Sequence, residues 1–345
     1  MHLAEVDTDY ILPSASQLID DSRSNRDRQI QTQVILPKHS LQHRTEYFTL
    51  RCVSLCVSLM PYRLALFTGW MLAWLGHFVL KYRVATARER IREVFGDGIV
   101  EDEIRRIAWI SWRTFIFGAI DMFRLRRIDM EWIKRHVIDW EKSRDRIHAA
   151  HSRGLGALLA CPHLGSMELS PVVFQRLGLP VFIMQAPQKN PLTDDFIERT
   201  RGSTGIPVVQ RGSAQVRSMI NRLRQGEAVV IPSDLRVLQN GVFIQFLGKE
   251  ASVAPGISLF SNRTQVPIIP FIAVRVGWTR HRFEVYDPVV SDPEKEKGED
   301  QRHLTQEVFR VFEEAIREFP EQWFWYNKSW ILEQVEDRTE GNGDR

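Results

Sequence analysis

Hydrophobic and polar positions divide the chain into four stretches. Residues 1–46 are polar and show no sustained period, which predicts a loosely ordered N-terminal extension. Residues 47–82 turn strongly apolar, residues 83–332 carry a patterned domain, and residues 333–345 form a polar tail. Residues 85–95 and 101–124 read as helices, the second opening on acidic side chains and setting Ile104, Ile107, Ile110 and Trp112 toward one side. From residue 155 onward short apolar runs alternate with amphipathic ones. Strands are predicted at 155–161, 181–184, 206–209, 228–231, 242–246, 267–276 and 282–286, with helices at 166–176, 192–201, 214–225, 255–262 and 304–319. The charged residues 291–303 read as a surface loop. This alternation predicts an α/β fold with a sheet flanked by helices, and a mixed sheet because the last strands follow one another with little helix between them.

Arg51, Pro61 and Arg63 split the apolar stretch and leave residues 64–80 as its main run, which at 17 residues lies at the lower limit for a spanning helix. Trp70 and Trp74 on one side, with Lys81, Arg83 and Arg88 following, suit a helix that lies at or dips into a cytoplasmic leaflet. A buried domain helix is the alternative, because His77 and two glycines weaken the lipid-facing reading. The expected architecture is therefore an N-terminal membrane-associating helical region ahead of the α/β domain. No secretory signal is expected, since the apolar stretch begins late and lacks a small-residue cleavage site after a short core.

Composition narrows the classes. At 345 residues, 43% hydrophobic and 26% charged, the chain is an ordinary globular one, and disorder throughout is excluded. A net charge of +3 is too small to argue for nucleic acid, although basic residues crowd at 81–92 and 199–224 and suit an anionic surface or ligand as well as solvated helix faces. Cys52, Cys56 and Cys161 make no disulfide scaffold and no metal spacing, which fits a reducing, cytosol-facing compartment.

The most informative segment is Gly-Ala-Leu-Leu-Ala-Cys-Pro-His-Leu-Gly-Ser-Met-Glu, residues 156–168. A strand that stops at Cys161-Pro162 and turns through Gly165 sets His163 on the loop and Glu168 in the first turn of the next helix. There the imidazole can take a proton from a hydroxyl while Glu168 holds its other nitrogen. The interval alone is not diagnostic: His136 and Glu141 repeat it in a charged, helix-like stretch, where positions i and i+5 point about 140° apart. Cys161, two residues before His163, reads as a buried inert thiol rather than a nucleophile. Arg201, closing the helix that starts near Asn190, and Arg211, ahead of another, can meet a phosphate or a developing oxyanion, or simply form surface ion pairs. Asp234 ends a strand, where α/β proteins commonly place functional side chains, though a turn-forming role is as ordinary. The turn from Phe246 through Gly248 to Gly256 either lines an acyl channel or packs the sheet.

Taken in order, these segments resemble the bacterial lipid A biosynthesis acyltransferases, the lauroyl and myristoyl transferases within the lysophospholipid acyltransferase superfamily. The resemblance runs from about Met60 to Trp330. It rests on Met-Pro-Tyr-Arg-Leu-Ala-Leu at 60–66, Pro-His-Leu-Gly-Ser-Met-Glu at 162–168, Asn190-Pro-Leu followed by Arg201 and Gly205, Gly-Glu-Ala-Val-Val at 226–230 with Asp234, Phe-Leu-Gly-Lys-Glu-Ala at 246–251, and Pro-Glu-Gln-Trp-Phe-Trp at 320–325. It implies a histidine base at His163, its glutamate partner at Glu168, and Arg201 and Asp234 completing the site, with Asn190, Arg211, Phe246 and Gly248 toward substrate. The chain departs from the family's usual pattern at Gln185-Ala186-Pro187, where Tyr-Arg-Pro is usual, at Leu235 in place of Gln, and at Asn327-Lys328-Ser329 in place of His-Arg-Arg. These departures bear on donor or acceptor identity more than on the base.

The implied reaction moves a fatty acyl group from a thioester of acyl carrier protein or coenzyme A to a hydroxyl of a membrane glycolipid such as a lipid A precursor. It implies no cofactor beyond the thioester co-substrate, no metal, and a place at the inner, cytoplasmic membrane. An acyl-thioester hydrolase and a non-catalytic lipid-binding membrane protein remain the alternatives.

Overall fold

The computed structural model describes residues 40–151, 154–210 and 213–333. The polar tail beyond residue 333 and most of the polar N-terminal stretch thus lie outside the described residues. The strands are β1 (Val137–Ile138), β2 (Ala157–Cys161), β3 (Val181–Gln185), β4 (Val208–Gln210), β5 (Ala228–Pro232), β6 (Val242–Phe246), β7 (Lys249–Val253), β8 (Ile268–Val276) and β9 (Arg280–Val285). Among the described residues, seven of them form one sheet in the order β1-β9-β8-β2-β5-β3-β4, while β6 and β7 pair separately as an antiparallel hairpin. The pairs β8–β2, β2–β5, β5–β3 and β3–β4 are parallel and β8–β9 is antiparallel, so the sheet is mixed but mostly parallel.

The apolar run of β2 explains its central place. All five of its residues are buried, and a strand without a polar face fits only a sheet covered on both sides. Leu158 and Ala160 enter one core with Val229, Ile268, Phe309 and Phe312, whereas Ala157, Leu159 and Cys161 enter the other with Val172 and Phe174. On the second face lie α6 (Trp140–His151) through Ile147 and α7 (Ser170–Arg176) through Val172 and Phe174, with Ile133 in the same core. On the first face lie α3 (Val84–Phe95), α4 (Glu101–Phe123), α9 (Ser213–Arg224), α10 (Gly256–Thr264) and α11 (Lys297–Glu318). The short α5 (Met130–His136) leads into β1, and α8 (Pro191–Gly202) joins β3 to β4.

The N-terminal part is more regular than the polar pattern predicts. Helix α1 (Leu41–Leu59) begins inside the expected loose extension, with the Ser40 hydroxyl accepting from the His43 N–H as its N-cap. Helix α2 (Tyr62–Trp74) follows and runs into a π-helical turn, Leu75–Val79. Its Ala65, Leu66 and Gly69 are buried against Phe117 and Ile120 of α4, while Leu64, Phe67, Met71, Trp74 and Phe78 are exposed. Among the described residues no single helix is long and apolar enough to cross a membrane; Tyr62–Val79 and Val84–Phe95 reach that length and composition together but are bent by 85°. The expected loop at 291–303 is correct only as far as Glu296, whose carboxylate accepts from the N–H groups of Gly298 and Glu299 and starts α11.

Candidate active site

Strands β2 and β5 lie side by side and parallel, with Cys161 opposite Pro232, and the Ser233 N–H donates to the Cys161 carbonyl just beyond. The same register carried two residues further sets His163 opposite Asp234 at the carboxyl end of the sheet, where open α/β sheets place ligands. His163 Nδ1 lies 2.6 Å from Asp234 Oδ1, and its backbone N–H donates to Asp234 Oδ2 at 2.9 Å. The Trp323 indole N–H donates to the same Oδ2 at 2.7 Å. Three N–H groups therefore fix a carboxylate whose side chain is 2% exposed, while the imidazole keeps 20% of its surface in solvent. Because the carboxylate accepts at Nδ1, the proton of the neutral ring sits there and Nε2 is left to accept another.

Electrostatics reinforce this assignment. Burial pulls the His163 pKa down, but the charge and hydrogen bond of Asp234, helped by the charge of Glu168, outweigh it and leave the ring more basic than an ordinary histidine. Burial likewise raises the Asp234 pKa, and the charge and N–H donors of His163, with the Trp323 indole, overcome it and hold the carboxyl below its usual range. Cys161 is buried, and burial, then the charges of Asp234 and Glu168, push its thiol well above its usual value. An inert thiol is what the sequence suggests, and a thiolate there is strongly disfavoured.

The loop after His163 is clamped from two sides. Leu164 pairs antiparallel with Trp323, with the Phe324 N–H donating to the His163 carbonyl and the Gly165 N–H to the Gln322 carbonyl. Gly165 has φ +63°, and a Cβ there would stand 2.1 Å from the Ala273 carbonyl oxygen, so only glycine lets the loop lie against β8. The next residues form a 3-10 turn, Met167–Leu169. Glu168 leaves this turn away from the imidazole's Nδ1 and takes both oxygens to Arg201 Nη2, at 3.0 and 3.2 Å. Arg201 also donates to Gln185 Oε1 at 3.2 Å, and Gln185 in turn donates to Asp194.

The expectation that Glu168 orients His163 is thus corrected: Asp234 holds Nδ1, and Glu168 reaches the ring only through its charge. The reason is topological, since the neighbouring parallel strand delivers Asp234 directly opposite the histidine. Behind the loop, Ser166 Oγ meets His281 Nδ1 at 2.8 Å, and His281 Nε2 lies 3.2 Å from the Tyr62 hydroxyl. That hydroxyl donates to Asp121 at 2.8 Å, and Asp121 is ion-paired with Arg275. This buried chain ties the start of α2 to the loop between His163 and Glu168. Among the described residues no group of three or more His, Cys, Asp or Glu side chains is arranged to hold a metal ion.

A family model for bacterial lipid A biosynthesis acyltransferases matches residues 37–331. The chain belongs to that family. It is 23% identical over 294 residues to a lipid A biosynthesis acyltransferase of Haemophilus influenzae, covering 83% of this chain and 86% of that protein. It is 24% identical over 225 residues to a phosphatidylinositol mannoside acyltransferase of Mycobacterium tuberculosis, covering 63% of this chain and 68% of that one. The protein is an acyltransferase.

Within this acyltransferase the residues expected to meet substrate fare differently. Asn190 caps α8 through the Leu192 N–H, and its amide donates to the His43 carbonyl and to Glu46, so its hydrogen bonds join α8 to α1. Phe246 is fully buried with its ring edge-on to Phe309 and Trp323; of the two readings of that turn, packing is correct and an acyl channel at Phe246 is not. Gly248 forms the tight turn between β6 and β7 at φ +81°, next to Leu247 at +52°. Arg211 lies outside the described residues. The indole of Trp323 is the group that sequence reasoning missed, and the only signal for it was its place in the Pro-Glu-Gln-Trp-Phe-Trp segment.

Proposed function

We propose that this acyltransferase moves a fatty acyl group from a thioester of acyl carrier protein or coenzyme A to a hydroxyl of a membrane glycolipid, such as a lipid A precursor, with His163 as general base. The observation that carries the proposal is the His163–Asp234 pair. Nδ1 is tied to a buried carboxylate, Nε2 takes no hydrogen bond among the described residues, and the imidazolium that would form on proton abstraction has a counter-charge 2.6 Å away. In the proposed step the acceptor hydroxyl gives its proton to Nε2 as its oxygen bonds to the thioester carbonyl carbon. The C–S bond then breaks and the leaving thiolate recovers the proton from the imidazolium. Arg201, braced by Glu168 and Gln185, supplies positive charge for an anionic headgroup or carrier phosphate.

The acceptor class follows from the family, and its access from the surface. Exposed Leu64, Phe67, Met71, Trp74 and Phe78 on α2 and the π-helical turn are followed at once by Lys81 and Arg83. That order suits docking on the anionic, cytoplasmic leaflet of the inner membrane. The test is incubation of the protein and its His163→Ala variant with labelled acyl thioesters and total membrane lipid, followed by mass spectrometry. The proposal predicts a gain of one acyl unit on a glycolipid that falls at least about 10³-fold in the variant. Free fatty acid without acylated lipid would indicate a hydrolase, and an active His163→Ala protein would remove the base.

A further inference from the structure

Along β9 the buried positions alternate as His281, Phe283 and Val285, and the last two enter the apolar core. His281 takes the same face and is fully buried. Its register partners are Val137 of β1 and Arg275 of β8, and the Trp132 ring stacks on it with centroids 5.6 Å apart. A polar ring at a place suited to an apolar side chain destabilises the fold unless its nitrogens are hydrogen-bonded, and burial keeps substrate from it. Both nitrogens are bonded, Nδ1 to Ser166 in the loop after His163 and Nε2 to Tyr62.

The chain of bonds has one direction. Arg275 stays charged in a protein, so Asp121, its buried ion-pair partner, is a carboxylate that can only accept, and the Tyr62 hydroxyl donates to it at 2.8 Å. The Tyr62 oxygen is left to accept from His281 Nε2, 3.2 Å away. Burial, then the charges of Arg275 and His136, disfavour the imidazolium, so the ring is neutral. With its proton on Nε2, Nδ1 keeps a lone pair, and the Ser166 hydroxyl donates to it at 2.8 Å. The ion pair thus sets, through Tyr62 and His281, which way the Ser166 side chain points.

Ser166 opens the 3-10 turn Met167–Leu169, its carbonyl accepting from the Leu169 N–H, and Glu168 leaves that turn for Arg201. His163, three residues earlier, has its own hold in Asp234. Glu168 instead meets a guanidinium that is itself partly exposed, so its aim depends on the turn. We infer that His281 is a positioning residue for the Glu168–Arg201 pair, fixing through Ser166 the turn from which Glu168 directs the Arg201 charge toward substrate. The inference rests on the acyl-transfer reading and deepens the part of it that concerns Arg201.

The experiment measures kcat and KM for acyl thioester and for membrane lipid in the intact protein and in Ser166→Ala, with Arg201→Lys alongside. Ser166→Ala should raise the same KM that Arg201→Lys raises, by about three- to tenfold, with kcat within about twofold and the acid limb of the pH profile in place. An unchanged KM, or a loss in kcat with a displaced acid limb, would overturn the inference. A second pair of variants separates positioning from plain structure. A glutamine amide reaches where Nε2 stood and an asparagine amide where Nδ1 stood, so His281→Gln keeps the bond to Tyr62 and His281→Asn keeps one to Ser166. Both give up one buried bond and should lower Tm alike, yet KM should rise in His281→Gln and stay closer to that of the wild type in His281→Asn. Equal KM values in the two would make His281 structural alone and overturn the inference. Should neither fold, Ser166→Ala, which leaves the ring in place, still decides. Were the wild-type protein to transfer nothing, the functional reading would fail by itself, and a crystal structure of Ser166→Ala would decide the positioning: Glu168 parted from Arg201 supports it, and the pair intact overturns it.

Discussion

Asp234 and Glu168 stand at the same end of the sheet and are held in different ways. Asp234 is 2% exposed and receives three N–H donors, two of them from His163. Glu168 is 25% exposed and gives both oxygens to one guanidinium, itself 20% exposed. A carboxylate locked on an imidazole tunes that ring's basicity, while a half-open carboxylate on an arginine fixes where a positive charge points. In the proposed mechanism two tasks that the His-x4-Glu interval suggests are one are thus separated: Asp234 would serve the proton, and Glu168 the charge offered to substrate.

The comparison is broken most forcefully at Asp234. In Asp234→Asn the amide can offer its own N–H to the ring, favouring the wrong tautomer, and transfer should fall by roughly 10²–10⁴-fold with little change in KM. Steady-state rates on a single donor and acceptor would show it, and a rate near that of the wild type would mean that the pair is structural. Arg201→Lys keeps the charge but not the fork, so KM for the anionic substrate should rise about tenfold with kcat less affected. A loss confined to kcat would instead put Arg201 on the developing oxyanion.

Gly165→Ala asks whether the loop that carries both residues is set by its backbone. With φ +63° and a carbonyl oxygen 2.1 Å from the new Cβ, the substitution should cost about 3 kcal/mol, read by denaturant unfolding, and lower activity with it. The smallest effect is expected at Asn190→Ala, which removes a helix cap remote in role from the chemistry. Stability should fall by about 1 kcal/mol while KM stays put, and a rise in KM would restore Asn190 as a substrate ligand.

What the sequence made legible follows the same division. The uninterrupted apolar run at 157–161 marks a central strand, and the Pro162 to Gly165 turn marks a loop at its end, so His163 and the kind of place it occupies were readable. Its partner was not. Asp234 lies 71 positions away and β3 and β4 intervene, so nothing in the spacing says that β5, rather than β3, pairs with β2. Phe246 was misleading for a related reason: an aromatic residue beside a glycine turn reads alike whether it faces a channel or a core. Helix α1 escaped because its face buries little, and a helix with few buried positions leaves only a weak apolar period.

The most direct test of the central claim is the pH dependence of kcat/KM for the wild type, Asp234→Asn and Glu168→Gln. The proposed base works only when neutral, so activity should be lost as pH falls through the pKa of His163, which Asp234 raises above that of an ordinary histidine. The account predicts an acid limb that moves to lower pH in Asp234→Asn and moves by less in Glu168→Gln. A limb that stays in place without Asp234, or moves further without Glu168, would contradict it.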